Sequence, residues 1–503
     1  MNWRRWLAGL LVPALLLAGG CSFRTKYGDT FRFPLGAEPV QLDPQMAADA
    51  ASVTVLRSLM EGLTVLDAQG KPQPAVAEAW NHTNEGRSWT FVLRECTWSN
   101  KTPVTAADFV YAWNRATDGS IGSPLSARFA NIHSVRAEGD RVLRVTLKQA
   151  DAAFDAAVAD TAFFPCNRAF FEQTQGHYGM DAEHVLSNGA FTLAAWEHHS
   201  YVSMHRNEEY YAVKQVAPEA VRYVIGRPSD PVTALAENEL DAAELTAEQA
   251  IEAEKSGLPV IGMNDSLCAL WFNTSVKSLA NAAVRRALRD SVEWDLLKDS
   301  LALQNAVAGQ VDFVPPDAVW GDGGYREAAG TVGYTMTDNA TAALRKAALP
   351  TLTVLCTDDE ATLQAARLIL QSWQKHADLY FSLKPLAADE LAARMAVGNY
   401  EIAIGAVTGG SADARRLLAA YTSSDADNVT RLQNAALAQQ IAAADSTAEL
   451  TACEAKLHEL CPCVPLWYAA RAYATGKGVE GLTIRPFNGD PIGAVYDFIN
   501  AEK

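Results

Sequence analysis

The sequence predicts an α/β protein of several domains built on mixed sheets, and three observations carry that reading. The chain has 503 residues, more than one hydrophobic core accommodates, so two or three domains are expected. Two segments, "SWTFVLRE" (88–95) and "RVLRVTLK" (141–148), alternate apolar and polar residues as half-buried strands do. A third, 351–405, alternates strand and helix patterns in the order that builds a parallel sheet with right-handed crossovers.

Taken in order, the chain opens on "MNWRRWLAGLLVPALLLAGGCSF": Arg4 and Arg5, an apolar run from Trp6 to Ala18, then Gly19-Gly20-Cys21. The run is short for a bilayer span and contains Pro13, so residues 1–20 are expected to be a signal peptide. Small residues directly before a cysteine resemble a bacterial lipobox, cut so that Cys21 becomes the lipidated N-terminus. The alternative is a plain leader cut near Gly20. Two or three acyl chains at one site anchor stably where one would not. Removing the leader takes Arg4 and Arg5 with it and leaves the chain two charges more negative. No later stretch is long and apolar enough to span a bilayer. The body is therefore expected outside the cytoplasm, tethered by lipid, a placement that disfavours ATP- or NAD-dependent chemistry.

Residues 28–96 read as strands and turns, with Trp89, Phe91 and Leu93 on one strand face. Thr105, with Asp108 three residues on, can cap a helix that puts Phe109, Ala112 and Trp113 on one side. In 351–405, "TLTVLC" is a strand, Thr357 and Glu360 form a candidate capping box for the helix after it, "LYFSLKPL" is a second strand, "DELAARMAVG" a second helix and "YEIAIGA" a third strand. Ligands bind beyond the carboxyl ends of such strands. Thr408 to Asp413, directly after the third, therefore falls at a ligand-binding edge.

Composition excludes several functions. Apolar residues make up 49% and charged residues 20%, an ordinary globular balance without a low-complexity tract. A formal net charge of −17 repels phosphate backbones, so nucleic acid is a poor partner. Seven cysteines follow Cys21 (Cys96, Cys166, Cys268, Cys356, Cys453, Cys461 and Cys463). Their number is odd and they lack paired CxxC spacing, so they read as small buried hydrophobes; a soft-metal or redox role for the last three is the alternative. There is no G-x-S-x-G elbow, H-E-x-x-H pair or Walker loop, so an enzyme is not expected. "WEHHSYVSMH" gathers Glu197, His198, His199 and His205, but a strand would turn His198 away from His199 and His205, so a surface strand is expected over a metal cluster. No cofactor is expected.

The order of segments resembles one family. Residues 38–118, from "EPVQLDPQ" to "AWNRATD", look like the N-terminal signature of the oligopeptide/dipeptide solute-binding proteins of ABC importers (solute-binding protein family 5). "LSNGAFTLAAWEHHSYVSMHRNEEYY" (186–211), "LCALWFNTS…NAAVRRALRDSVEWDLL", "GNYEIAI" and "CVPLWYAAR" resemble later blocks in the right order, so the resemblance covers essentially the whole chain after the leader. It implies an α/β, two-lobed periplasmic-binding-protein clamshell of the type II, three-domain variant, with mixed sheets and a hinge. Laid on this chain, residues 22–60, 180–268 and 478–503 form a discontinuous first lobe, 61–179 an inserted small domain, and 269–477 the C-terminal lobe. The implied function is capture of a peptide or peptide-like solute, closure about the hinge, and delivery to the permease subunits of an ABC transporter with their ATPases. A monomer touching the membrane only through its lipid is expected. Binders of nickel and haem share the family, so a metal, haem or other non-peptide solute is an alternative. A peptide receptor or chaperone without transport is another.

The resemblance also marks departures. In peptide-binding relatives the strand after G-x-[YF]-[DE]-[IV]-A leads into a cleft loop whose aspartate pairs with the peptide amine. Here Gly398, Tyr400 and Glu401 take the motif positions and Gly410 falls where that aspartate would stand, with Val407 in place of a tryptophan. Leu125, Ala388 and Ala469 replace aromatics common in the family, which suggests a roomier, less polar cleft. Three readings of "TGGSADARR" stay open. Asp413 substitutes for the missing acid; or the amides of Gly409, Gly410 and Ser411 accept an anionic group; or Asp413 caps the helix "ARRLLAAY". Arg415 and Arg416 read as a solvated helix face. The candidate ligand-binding residues are thus Trp271, Asn273, Thr408, Gly409, Gly410, Ser411 and Asp413, with Trp271 as readily a core residue. Trp467 and Tyr468 read as core, and Asn188 as the holder of a turn.

Overall fold

The computed structural model describes residues 30–67, 71–300, 311–423, 428–487 and 496–503. The leader and Cys21 lie outside the described residues. Among those described, no helix is long and apolar enough to cross a membrane.

Three sheets organise the chain. The first has four strands in the order Thr30–Pro34, Ala220–Val224, Tyr201–Arg206, Phe191–Glu197, the first pair parallel and the others antiparallel. The second is an antiparallel sheet of Ala77–Thr83, Ser88–Leu93, Val142–Leu147 and Ile132–Glu138. Its inward face carries Trp89, Phe91 and Leu93, all buried, under the helix Ala106–Thr117. That helix opens with the expected capping box of Thr105 and Asp108 and buries Phe109, Ala112 and Trp113. Arg115, on the same helix, makes a bidentate pair with Asp43, both contacts at 2.7 Å, and so clamps the second sheet's core to the loop before the helix Ala50–Leu59.

The third sheet has six strands in the order Ala242–Leu245, Cys463–Thr475, Val260–Phe272, Ile402–Thr408, Thr353–Thr357, Ser382–Leu386. The last three are parallel, as the strand–helix alternation of 351–405 predicts. Within that unit the helix Glu360–Ala377 is capped by Asp359, whose carboxylate accepts the Thr362 N–H. Thr357 instead donates its hydroxyl to Asp359, so the expected box of Thr357 and Glu360 gives way to a shorter cap.

The run "LCALWF" is apolar at every position because the sheet is covered on both faces. Leu267, Ala269 and Trp271 face one core, closed by the helices Ala414–Ala420 and Thr447–Leu460. Cys268, Leu270 and Phe272 face another, packed on Ala365, Ala366, Ile369 and Trp373 of the long helix. Further back along the same strand Met263 belongs to the core of the first sheet, as do Tyr473 and Ala242. Two thirteen-residue strands, Val260–Phe272 and Cys463–Thr475, thus run from one core into another. Their register slips between Met263 and Ser266, where Asn264 and Asp265 stand against the single residue Ala470.

Two further expectations change. The 198–200 segment is the hairpin turn rather than a strand: His198 and His199 both reach Glu38, at 2.5 and 2.8 Å, because a positive φ at His199 turns the chain. Asn188 does more than hold its turn. Its side chain exchanges two hydrogen bonds with the backbone of Glu61, 127 positions away. The seven described cysteines are free thiols, and all but Cys96 are buried. Burial pushes the Cys461 thiol up to about 11, the direction expected for a small hydrophobe.

Candidate functional site

The strands 260–272 and 402–408 pair antiparallel, with Ser266 opposite Thr408 and Trp271 opposite Ala403. Their apolar side chains on one face, Leu267, Trp271 and Val407, line the floor of a cavity of about 510 Å³. The chain leaves the second strand through Thr408, Gly409, Gly410 and Ser411, all of which line the same cavity, and turns back into the helix Ala414–Ala420. Leu417, Ala420 and Tyr421 close its side, and Phe313 and Pro315 form another wall. Parallel stacking of Trp271 on Tyr421 (6.4 Å between centroids) and edge contact of Phe313 with Tyr421 (5.1 Å) fix these rings. The Trp271 indole donates to the Gly405 carbonyl at 2.9 Å, leaving its ring to the cavity. Burial holds the Tyr421 phenol well above its ordinary value, so it stays neutral.

The glycine loop is shaped by contact as well as by freedom. A β-carbon on Gly409 would stand 2.1 Å from the Leu417 side chain, whereas one on Gly410 would meet nothing within 4 Å. Thr408 shares a 2.7 Å hydroxyl contact with Ser266, and the Ser411 hydroxyl accepts the Asp413 N–H at 3.1 Å. These bonds tie the loop down at both ends.

Part of the wall comes from a distant segment. Asp160 lines the cavity from the start of the single turn Thr161–Phe163. That turn is pinned from behind: the Trp113 indole donates to the Phe163 carbonyl, and the Gln45 amide to the carbonyls of Ala162 and Phe164, all within 3.0 Å. One oxygen of Asp160 accepts the Ala162 N–H at 2.8 Å and the other pairs with Arg128. Among the described residues, Arg416 is the other charged residue on the lining. An apolar pocket with one acid and one base at its rim can hold a ligand that has both an apolar group and a charge.

Of the residues singled out from the sequence, the structure brings Trp271, Thr408, Gly409, Gly410 and Ser411 together on this cavity. Asn273 and Asp413 are not among its lining residues. Asn273 is buried and spends its amide on the carbonyls of Gly398 and Tyr400 and its oxygen on Ser275, so it shapes the turn after the strand. Asp413 caps its helix by accepting the Arg416 N–H at 2.9 Å. Leu125, Ala388 and Ala469 are also absent from the lining, Leu125 being packed in the core of the second sheet. Sequence reasoning missed Asp160, Phe313, Leu417, Tyr421 and Arg416. For Arg416 the signal was its position, one helical turn after the loop.

Comparison with known proteins agrees with this architecture. A family profile, bacterial extracellular solute-binding proteins, family 5 Middle, matches residues 71–428. The chain is 28% identical over 313 residues to the dipeptide-binding protein DppE of Bacillus subtilis, an alignment covering 58% of this chain and 57% of that protein. It is 28% identical over 327 residues to the oligopeptide-binding protein OppA of the same organism, covering 58% and 59%. It is also 28% identical over 315 residues to the probable deoxycholate-binding periplasmic protein YgiS of Escherichia coli, again covering 58% and 59%. The alignments thus span under three fifths of these curated relatives. Among solved structures, the substrate-binding domain of an oligopeptide ABC transporter from Bacillus anthracis superposes with a TM-score of 0.73 at 23% identity, covering 94% of this chain and 98% of that one. Peptide-bound OppA of Listeria monocytogenes gives 0.72 at 22%, with the same coverage. These likenesses establish the two-lobed clamshell with mixed sheets.

Proposed function

Since this chain belongs to the bacterial extracellular solute-binding proteins, family 5, we infer that it captures a peptide or peptide-like solute outside the cytoplasmic membrane and delivers it to an ABC importer. It is a binding protein and not an enzyme. The observation that carries the reading is the make-up of the cavity. Asp160 belongs to a turn of the segment beside the second sheet, while Thr408–Ser411 belong to the third sheet. A solute seated there touches both sides at once, and such contacts favour the closed arrangement over the open one.

In this reading the pivot is the pair of long strands, Val260–Phe272 and Cys463–Thr475. The domains follow the three-part division expected from the sequence, Cys21 carries the lipid anchor, and the closed form docks as a monomer on the permease subunits.

A second reading has a specific observation behind it. The floor and sides of the cavity are Leu267, Trp271, Phe313, Val407, Leu417 and Tyr421, and Gly410 stands where peptide-binding relatives are expected to carry their amine-binding acid. An amphipathic carboxylic acid would fit such a wall, and one relative is described as probably deoxycholate-binding.

Native mass spectrometry on residues 22–503, purified from a bacterial periplasm, separates the two. Co-purified peptide masses support peptide capture and give the ligand length. A sterol-acid, metal or tetrapyrrole adduct, or a clean apo mass that peptides fail to shift, overturns it.

A further inference from the structure

Among the described residues, the lining of the cavity contains one carboxylate and one guanidinium, and only the carboxylate is already satisfied. Asp160 has the Arg128 guanidinium on one oxygen and a backbone N–H on the other. Arg416 is different. Its backbone N–H binds the capping Asp413, but among the described residues its side chain has neither an ion pair nor a hydrogen bond. Its neighbour Arg415 is placed, stacked 5.2 Å from the Trp320 ring and donating to the Ala444 carbonyl. Exposed Arg136, Arg141, Arg144 and Arg168 pair with carboxylates, whereas among the described residues exposed Arg87, Arg345 and Arg367 do not; Arg416 differs from these in lining the cavity. On the wall of the cavity, an arginine with no carboxylate partner among the described residues brings a positive charge beside the apolar floor.

We propose that Arg416 binds the carboxylate of the solute, so that the site selects ligands in which an apolar group and a carboxylate are neighbours. A planar guanidinium presents two parallel donors to a carboxylate, a match that an ammonium cannot reproduce. The cavity wall between Leu417 and Tyr421 takes the apolar group while Arg416, on the same helix, holds the charge at the rim. This assignment rests on the peptide-binding reading. The carboxylate then comes either from the peptide C-terminus or from an aspartate or glutamate side chain.

The test uses the full chain after the leader and three tripeptide libraries with one aromatic residue: free acids, their C-terminal amides, and amides carrying one glutamate. Affinities are read by native mass spectrometry and calorimetry for wild type, Arg416→Gln and Arg416→Lys. Free acids should bind wild type about 10- to 100-fold more tightly than amides, the size of a charge-assisted hydrogen bond. Arg416→Gln should erase that ratio and Arg416→Lys should restore part of it. If glutamate amides bind as free acids do, the carboxylate source is the side chain; if they bind as plain amides, it is the C-terminus. Equal binding of acids and amides by wild type, or a ratio that survives Arg416→Gln, overturns the assignment while leaving peptide binding intact. If no library binds, the peptide reading falls and this assignment with it.

Discussion

Asp265 and Arg471 form a largely buried ion pair between the two long strands, at the place where their register slips. Asp265 is fully buried, and its carboxylate takes two contacts from the Arg471 guanidinium and the N–H of Phe487 at 2.7 Å. The guanidinium in turn reaches the Tyr473 hydroxyl at 3.0 Å and lies 3.9 Å from Glu244. Charges at this depth are tolerated when hydrogen bonds answer them, as those of Ser266, Tyr473 and Phe487 do here.

Removing one half of the pair should therefore cost more than removing both. Asp265→Ala leaves the largely buried arginine without its main partner and should destabilise the protein by about 3–5 kcal/mol. Replacing both residues with apolar ones, Asp265→Leu with Arg471→Met, should recover most of that loss. Urea titrations of the three proteins measure both values. A double variant no more stable than the single one would mean the pair's role is geometric, holding the slipped register.

The two glycines of the loop should respond differently to a methyl group. At Gly409 the new carbon falls 2.1 Å from Leu417, which must rotate, and Leu417 lines the cavity. Gly409→Ala should thus weaken solute binding about tenfold or more and cost about 1–3 kcal/mol of stability. Gly410→Ala, with open space around it, should leave both within about 0.5 kcal/mol. Calorimetry and thermal melts on the pair provide the comparison, and equal behaviour would remove the close approach from the account of the loop.

Open space at Gly410 also permits a gain-of-function test. Gly410→Asp places a carboxylate on the cavity wall, and free-amine peptides should then bind about tenfold more tightly than their N-acetylated forms. If free and acetylated peptides bind wild type equally and the substitution changes neither, the loop does not face the peptide amine.

Acid should weaken the network beneath Phe313. The Asp312 carboxyl is pushed up by burial, but His458, the N–H groups of Gly333 and Val332, and Arg326 outweigh that and hold it below its ordinary 3.8. A carboxyl depressed in the folded state contributes stability above its unfolded pKa and loses it as pH falls through the folded one. Asp312→Asn should therefore be less stable than wild type at pH 7, with the gap closing as pH drops below about 4. Glu454, shifted upward by burial, works in the opposite sense but is present in both proteins. Denaturant titrations across pH 2–7 test this, and a gap independent of pH would assign Asp312 a purely steric role.

Local patterns in the sequence carried far, and spatial ones did not. The capping box of Thr105 and Asp108, the inward row of Trp89, Phe91 and Leu93, and the parallel unit after residue 351 are all set by neighbours a few positions apart. The loop Thr408–Ser411 was legible because it follows directly from a strand end. The part of the wall that Asp160 supplies was not, since that residue lies some 250 positions away and carries no motif of its own. Asn273 drew attention by sitting next to an apolar strand, yet its bonds to Gly398 and Tyr400 exist only once the strand 402–408 has paired. Arg416 has the spacing of a solvated face, and only the cavity beside its helix distinguishes it.

The order of the third sheet bears on how the chain comes together in time. The strand Cys463–Thr475 lies between Ala242–Leu245 and Val260–Phe272, pairing with both. As the polypeptide emerges from its N-terminus, Val260–Phe272 can meet Ile402–Thr408, but its other edge stays open until some 470 residues have been made. For most of synthesis the nascent chain therefore presents an unpaired apolar edge, of the kind that recruits other strands. Closure must wait for a contact between residues more than 190 positions apart, which makes this step slow. Truncations before residue 463 should then accumulate as aggregates rather than as shorter folded proteins.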